Sequence, residues 1–415
     1  MSERMSHSVV RMSGRDPHQS GRAATPLELL FDLTFVIAFG AAANELAHFL
    51  AAGYVADGIL GFAFAIFAVS WAWINFSWFA SAYDTDDWLY RLTTMVQMVG
   101  VLILALGLPQ MFESLHEGEH VDNGVMVLGY VVMRVPMVFQ WWRASRQDPE
   151  RATVCRTFMV TLVISQVGWI VLALVPASVP VTFALIVVLV LIEAIGPFVA
   201  ERRMVGTPWH PHHIAERYGL LVIIALGEGL IGTVATLAAI IHEEGWTVDV
   251  AVLGVAGVGV TFGMWWTYFV LPSGDLLQAH RERSFTWGYG HIAVFGAVVA
   301  VGAGLHAAAY RLEGHSVLSD TQTVLTVVVP LAVYVALLMT LYAVLTRTFS
   351  PFHLLLALGS AAVLGAAVAL VASGASLTWS LLVVALTPWV TVVGYETVGH
   401  RHNEDVLASF RSTSP

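Results

Sequence analysis

Twelve apolar runs of about twenty residues or more divide this 415-residue chain. No other feature constrains its fold as strongly. A bilayer core about 30 Å thick needs roughly 20 apolar residues per spanning helix. It also offers no water to the backbone, so only helices or a closed barrel can cross it. The runs fall at about 27–50, 57–80, 91–112, 123–142, 157–176, 179–200, 214–241, 250–271, 286–308, 323–346, 351–373 and 377–399. They are too long and too uniformly apolar for barrel strands. The sequence therefore predicts an all-α integral membrane protein of about twelve transmembrane helices. Composition agrees: 57% of residues are hydrophobic and 12% charged, against roughly 25% charged in soluble domains.

Arginine placement sets the expected topology. The chain contains no lysine. Arg4, Arg11, Arg15 and Arg22 precede the first run, and every second loop afterwards carries arginine: Arg91, Arg143 to Arg156, Arg202 with Arg203 and Arg217, Arg281 with Arg283, and Arg347. Arg401 and Arg411 follow the last run, while the alternate loops hold only Arg311. By the positive-inside rule both termini are cytoplasmic. The formal charge of −10 does not oppose this, because acidic residues count little in that rule. Residues 1–25 and 401–415 read as polar tails, the first disordered and basic. The first run is long, carries Asp32 and lacks a clear cleavage site, so it reads as a retained helix and not a signal peptide. The single Cys155 excludes an intrachain disulfide. Nothing points to a nucleic-acid partner or a cofactor, and the oligomeric state is left open.

The chain repeats weakly. VIAFG (36–40) is echoed by IIALG (223–227), and WINFSWF (73–79) loosely by GMWWTYF (263–269). Residues 26–205 and 206–400 thus read as two six-helix repeats. Six is even, so the repeats are parallel, as in one large class of transporters.

Several ionisable residues sit where lipid-facing residues would be apolar. In TPLELLFDLTF, Thr25 reads as an N-cap, Pro26 suits the first helical position, and Glu28 can close a capping box. Asp32 is one turn further on, on the same face. It either pairs with an arginine or lines a cavity. In HPHHIAERYGLLVIIALGEG, His213, Glu216 and Arg217 are spaced to share a face near the cytoplasmic mouth. Glu228, twelve residues past Glu216, is about 18 Å deeper, close to mid-membrane. A carboxylate there costs at least about 2.5–3.5 kcal/mol on insertion scales. Desolvation favours its neutral, proton-carrying form, so it must find a partner, water or a proton. Gly227, Gly229 and Gly232 allow close approach to it. Arg134 is the one arginine well inside an apolar run, with Pro136 beside it. Glu193 is followed by Gly196 and Pro197. Both prolines suggest helix breaks, and Arg134 is expected to pair with Glu193 or Glu228. Glu45, His48, His291, His306 and Glu396 are weaker candidates. A lone histidine in a bundle is more often a satisfied core residue.

The tryptophans cluster near run ends, where aromatic belts form. Trp73 and Trp265 lie well before their helix ends and suit an aromatic-lined cavity for an apolar or cationic ligand. His210, His212 and His213 match no strong zinc spacing, and no metal site is expected.

These residues carry a family resemblance. ELLFDLTFVIAFG (28–40) and HIAERYGLLVIIALGEG (213–229) resemble the two signatures of the bacterial low temperature requirement A (LtrA) family, and MWWTYF (264–269) also fits. Glu28, Phe31, Asp32, His213, Glu216, Arg217, Gly227 and Glu228 match family positions. Val270 departs, since an acidic residue often follows that stretch in relatives. The resemblance implies a multi-pass protein of the bacterial plasma membrane, linked by name to growth in the cold, without an established substrate.

The leading expectation is an ion-coupled secondary transporter of a small molecule. In it Glu228 carries a proton or touches substrate, Arg134 tunes charge or binds an anion, and Asp32, Glu216 and Arg217 gate the cytoplasmic side. The absence of a Walker A pattern argues against nucleotide hydrolysis. The alternative is a membrane-embedded enzyme acting on a lipid or isoprenoid-like substrate, with Glu228, Asp32 and Glu193 as general acids.

Overall fold

The computed structural model describes residues 8–17, 19, 21–175, 177–347 and 351–400. Arg4, Arg401, Arg411 and the tail 401–415 lie outside them. Among the described residues the chain is all helical. The helices are α1 (Pro26–Ala51), α2 (Val55–Tyr83), α3 (Trp88–Leu106), α4 (Leu108–Glu117), α5 (Gly124–Gln147), α6 (Ala152–Leu174), α7 (Val179–Arg203), α8 (Pro211–Glu244), α9 (Val248–Phe269), α10 (Ser273–Ala279), α11 (Ser284–Leu312), α12 (Asp320–Thr346), α13 (Pro351–Ala372), α14 (Leu377–Ala385) and α15 (Thr387–Gly394). They form twelve helical spans long and apolar enough to cross a membrane. In three of these, α3 with α4, α9 with α10, and α14 with α15 run in succession.

Capping chemistry starts the helices where the sequence places it. The Glu28 carboxylate accepts the Thr25 N–H at 2.8 Å, and the Thr25 hydroxyl accepts the Glu28 N–H at 3.3 Å, a reciprocal capping box. Asp87 caps α3 through the Tyr90 N–H, and Ser319 with Gln322 boxes α12.

The expected breaks at Pro136 and Pro197 do not occur. Both prolines sit inside unbroken helices, which bundle neighbours and local adjustment tolerate in membranes. The helix is interrupted instead between α3 and α4, where Pro109 enters the first turn after Gly107, and between α14 and α15, where Pro388 enters the first turn after Leu386. A proline in a first turn loses no intrahelical hydrogen bond and so begins a helix readily.

The chain divides into two compact units, residues 1–41 with 67–217, and residues 42–66 with 218–415. This division differs from the sequence halves, since α1, α2 and α8 each contribute to both units. In the first unit α3 and α5 cross where a Cβ on Gly100 would stand 2.6 Å from the Gly129 carbonyl oxygen. In the second, α8 and α11 cross where a Cβ on Gly232 would stand 2.7 Å from the Gly302 carbonyl oxygen. Small residues at crossings allow the backbone contact that packs helices in lipid. The span containing α11 is the most buried at 78%, while those of α6 and α7 are only 22% and 28% buried, as lipid-facing helices should be.

The N-terminal tail is docked where the sequence suggests disorder. Met12 is fully buried. The Val10 N–H donates to Asp87, and Arg143 joins the Val10 carbonyl to the same carboxylate. The Met12 N–H donates to Gln147 at 2.6 Å. Arg22 donates to the Ala80 and Ser81 carbonyls in the last turn of α2, where a cation also suits the helix dipole. Burial and the neighbouring Arg15 lower the Arg22 pKa to about 10. Val10, Met12 and Arg22 thus have partners distant in sequence, which composition alone does not reveal.

Candidate functional site

The first unit contains a wholly buried charge network on α1, α2 and α8. Arg217 donates to Glu28 at 2.8 Å and to Asp32 at 2.5 and 3.2 Å. Trp73 donates its indole N–H to Asp32 at 2.6 Å. His213 Nε2 lies 3.2 and 3.3 Å from the two Glu28 oxygens. Glu28, Asp32, Trp73, His213 and Arg217 are each 0% exposed. The helical repeat explains the geometry: Glu28 and Asp32 lie one turn apart on α1, as do His213 and Arg217 on α8. Trp73 and Phe76 hold the guanidinium, 5.5 and 5.7 Å from their ring centroids. Phe31 stacks on Phe76 at 3.8 Å and seals that side.

Charge counting gives the network its chemistry. Two carboxylates face one guanidinium, so the cluster carries −1 while His213 is neutral. A carboxylate partner at Nε2 makes that nitrogen the donor. Nδ1 then holds a lone pair, and it has no hydrogen-bond partner among the described residues. One further proton makes the cluster neutral. The Tyr90 hydroxyl, also without a partner among the described residues, sits behind Phe76, its ring 6.5 Å away.

Glu216 is not part of this network. It is exposed, and Glu28 stands beside Asp32 and Arg217 in its place. His210 and His212 are not assembled with His213 as a ligand set either. The His210 ring accepts the His213 N–H at 3.2 Å and meets the Gln19 carbonyl at 2.9 Å, while His212 is exposed.

Arg134 pairs with Glu193 at 2.6 Å rather than with Glu228. Trp169 donates to the same Glu193 oxygen at 2.7 Å, and the guanidinium lies 4.6 Å from the Tyr130 ring centroid. The pair is incompletely satisfied. Arg134 Nη1, Glu193 Oε2, and the polar atoms of Ser165 and Gln166 on α6 lack hydrogen-bond partners among the described residues. Trp169, Ser165 and Gln166 were not anticipated. A polar face on an otherwise apolar run was the available signal.

In the second unit, Glu228 stands at the midpoint of the 34-residue α8 and is 2% exposed. Its carboxylate makes no hydrogen bond or ion pair among the described residues. A Cβ on Gly302 of α11 would stand 2.8 Å from Glu228 Cβ, so the facing helix presses on its backbone. Gly229 meets Thr261 and Gly232 meets Gly302, but nothing approaches Gly227 within 4 Å. His291 is a satisfied core residue, bonded to the Trp287 carbonyl at 2.8 Å and the Tyr268 hydroxyl at 3.0 Å. Trp265 is 44% exposed and lines a surface cavity with Trp266, Phe269, Val270, Tyr395, Glu396 and His400.

The bacterial low temperature requirement A protein model matches residues 23–388, a region that includes the network, Arg134, Glu193 and Glu228. The chain belongs to the LtrA family. It is 27% identical over 303 residues to an uncharacterized protein of Rhizobium meliloti (strain 1021), covering 67% of each chain. No solved structure matches. This LtrA member is thus a multi-pass membrane protein whose signature residues Glu28, Asp32, His213 and Arg217 meet in one buried cluster.

Proposed function

We propose that the protein is a proton-coupled secondary transporter of a small molecule in the bacterial inner membrane, with both termini cytoplasmic and two parallel six-helix repeats. The observation that carries the reading is the pair of proton-competent sites inside a bundle of membrane-length helices. One is the network of Glu28, Asp32, His213 and Arg217, one proton short of neutrality. The other is Glu228, an enclosed carboxylate without a counter-charge among the described residues. Intramembrane ionisable groups are costly, so each must offset its desolvation. Arg217 does this for Glu28 and Asp32, and a proton does it for Glu228. Cyclic protonation of Glu228 then couples the proton gradient to substrate movement. Asp32 and Arg217, closed by Glu28 and His213 in place of Glu216, gate one end. Arg134 tunes the α5 to α7 region through Glu193.

Inverted membrane vesicles energised by respiration test this reading. A fluorescent pH indicator reports collapse of the proton gradient when fractionated growth-medium metabolites are added. Collapse is expected with the natural protein and should be absent with Glu228→Gln. A correctly inserted Glu228→Gln protein that collapses the gradient normally would remove Glu228 from coupling.

A further inference from the structure

We propose that the aromatic cavity formed by α9 and the end of the last span binds an ammonium group, as a site separate from the buried carboxylates. The cavity has a volume of about 600 Å³ and is lined by Trp265, Trp266, Phe269, Val270, Tyr395, Glu396 and His400. That is the size of a small-molecule site. Four of its seven lining residues are aromatic, and one is a carboxylate.

The walls are fixed in place. Trp266 donates its indole N–H to Glu396 Oε1 at 3.0 Å and packs edge-on against Trp389, with centroids 6.0 Å apart. Trp389 is itself tied to the Gly259 carbonyl at 3.1 Å. The Tyr395 hydroxyl meets His353 Nε2 at 2.5 Å, and its ring meets Phe352 edge-on at 5.8 Å. Trp265 packs against Phe269 at 5.3 Å. Tyr395 and Glu396 begin a π-helical turn, Tyr395–Gly399. Such turns are rare and frequently occur at functional sites. Here the turn sets a buried ring beside a carboxylate at the cavity wall.

The lining selects a cation. Aromatic faces attract ammonium groups through the ring quadrupole, most strongly tryptophan. The one Glu396 oxygen that Trp266 does not engage supplies the formal charge. Among the described lining residues no arginine or lysine opposes it. His400 lies beside it, its Nδ1 3.4 Å from the Tyr395 carbonyl. Three rings of the lining, Trp265, Trp266 and Phe269, are 39–44% exposed, so the cavity opens outward. A quaternary ammonium group can therefore arrive free or as part of a lipid headgroup.

Equilibrium binding to the purified full chain in detergent tests the proposal. The probes are choline and 3,3-dimethylbutan-1-ol, which has the same shape without the charge. Choline should bind saturably and at least tenfold more tightly than the neutral alcohol. Glu396→Gln should weaken choline at least tenfold, and Trp265→Leu should weaken it severalfold. Glu396 is exposed, and an unchanged gel-filtration profile shows that each variant still folds. A short-chain phosphatidylcholine is compared with free choline. Binding of the lipid alone assigns the site to headgroups, and binding of free choline assigns it to a soluble amine. Equal affinity for choline and its neutral analogue, no saturable binding of either choline source, or undiminished binding by Glu396→Gln would overturn the proposal.

Discussion

Replacing Arg217 with glutamine removes the only cation from the network and leaves two carboxylates facing each other. Glu28 and Asp32 are one helical turn apart, about 6 Å. At an effective dielectric constant of about 20, two unit charges at that distance repel by about 3 kcal/mol. Breaking a buried pair by deleting one partner typically costs about 3–5 kcal/mol. Arg217→Gln should therefore destabilise the protein by about that amount, measured by SDS-induced unfolding in mixed micelles. The decisive comparison is the double variant Arg217→Gln/Asp32→Asn. It retains one carboxylate, and that carboxylate keeps the Thr25 amide and His213 as partners. The double variant should recover at least half of the loss, with a coupling energy of about 1–3 kcal/mol, as expected for residues in one network. A single variant within about 0.5 kcal/mol of the parent, the range of ordinary surface substitutions, would refute the reasoning. So would a double variant whose loss equals the sum of the two single losses.

Four other outcomes follow from the same geometry. Burial pushes Asp84 up from its ordinary value of 3.8 to about 6, so the folded state binds its proton more tightly and stability falls as pH rises from about 4 to 6. Asp84→Asn should therefore stabilise the protein by up to about 3 kcal/mol at pH 8, taking about 1.4 kcal/mol per pKa unit, with the gain fading towards pH 4 in thermal unfolding. Asp87 shows the opposite sign. Burial raises it, but the Arg143 hydrogen bonds and the Tyr90 and Val10 amides hold it below its ordinary value. Its contribution should be present above the usual aspartate range and lost in stronger acid. Gly302→Ala would set a Cβ 2.7 Å from the Glu228 carbonyl carbon. Forcing the crossing apart should cost about 1–3 kcal/mol, visible as a lowered melting temperature, while the same change at Gly227, where nothing lies within 4 Å, should cost far less. Glu193→Gln should cost about 3–5 kcal/mol by stranding the buried Arg134, whereas Arg134→Met/Glu193→Leu should be nearly neutral.

The twelve spans were legible because apolar length and the need to pair every backbone group leave few alternatives. The Thr25–Glu28 box was legible because it closes within three residues. Partner choice across helices was not. His213, Glu216 and Arg217 share a broad face by spacing, but at about 100° per residue Glu216 and Arg217 point in different directions. A narrow contact stripe therefore takes His213 and Arg217 and leaves Glu216 outside. Likewise Arg134 had two candidate acids, and only the packing of α5 and α7 on α6 selects Glu193. The tail looked disordered because Arg15 finds Asp84, the Val10 amide finds Asp87 and Arg22 finds the end of α2 only after the chain has folded.

The most direct test of proton-coupled transport is untargeted metabolite profiling of cells and medium, separately. The strains compared lack the protein, carry it, or carry Glu228→Gln. Transport predicts a chemically unchanged compound that shifts between cell and medium when the protein is present and stays put in the Glu228→Gln strain. A precursor that accumulates while a new product vanishes from both compartments would contradict transport and assign the glutamate to an enzyme.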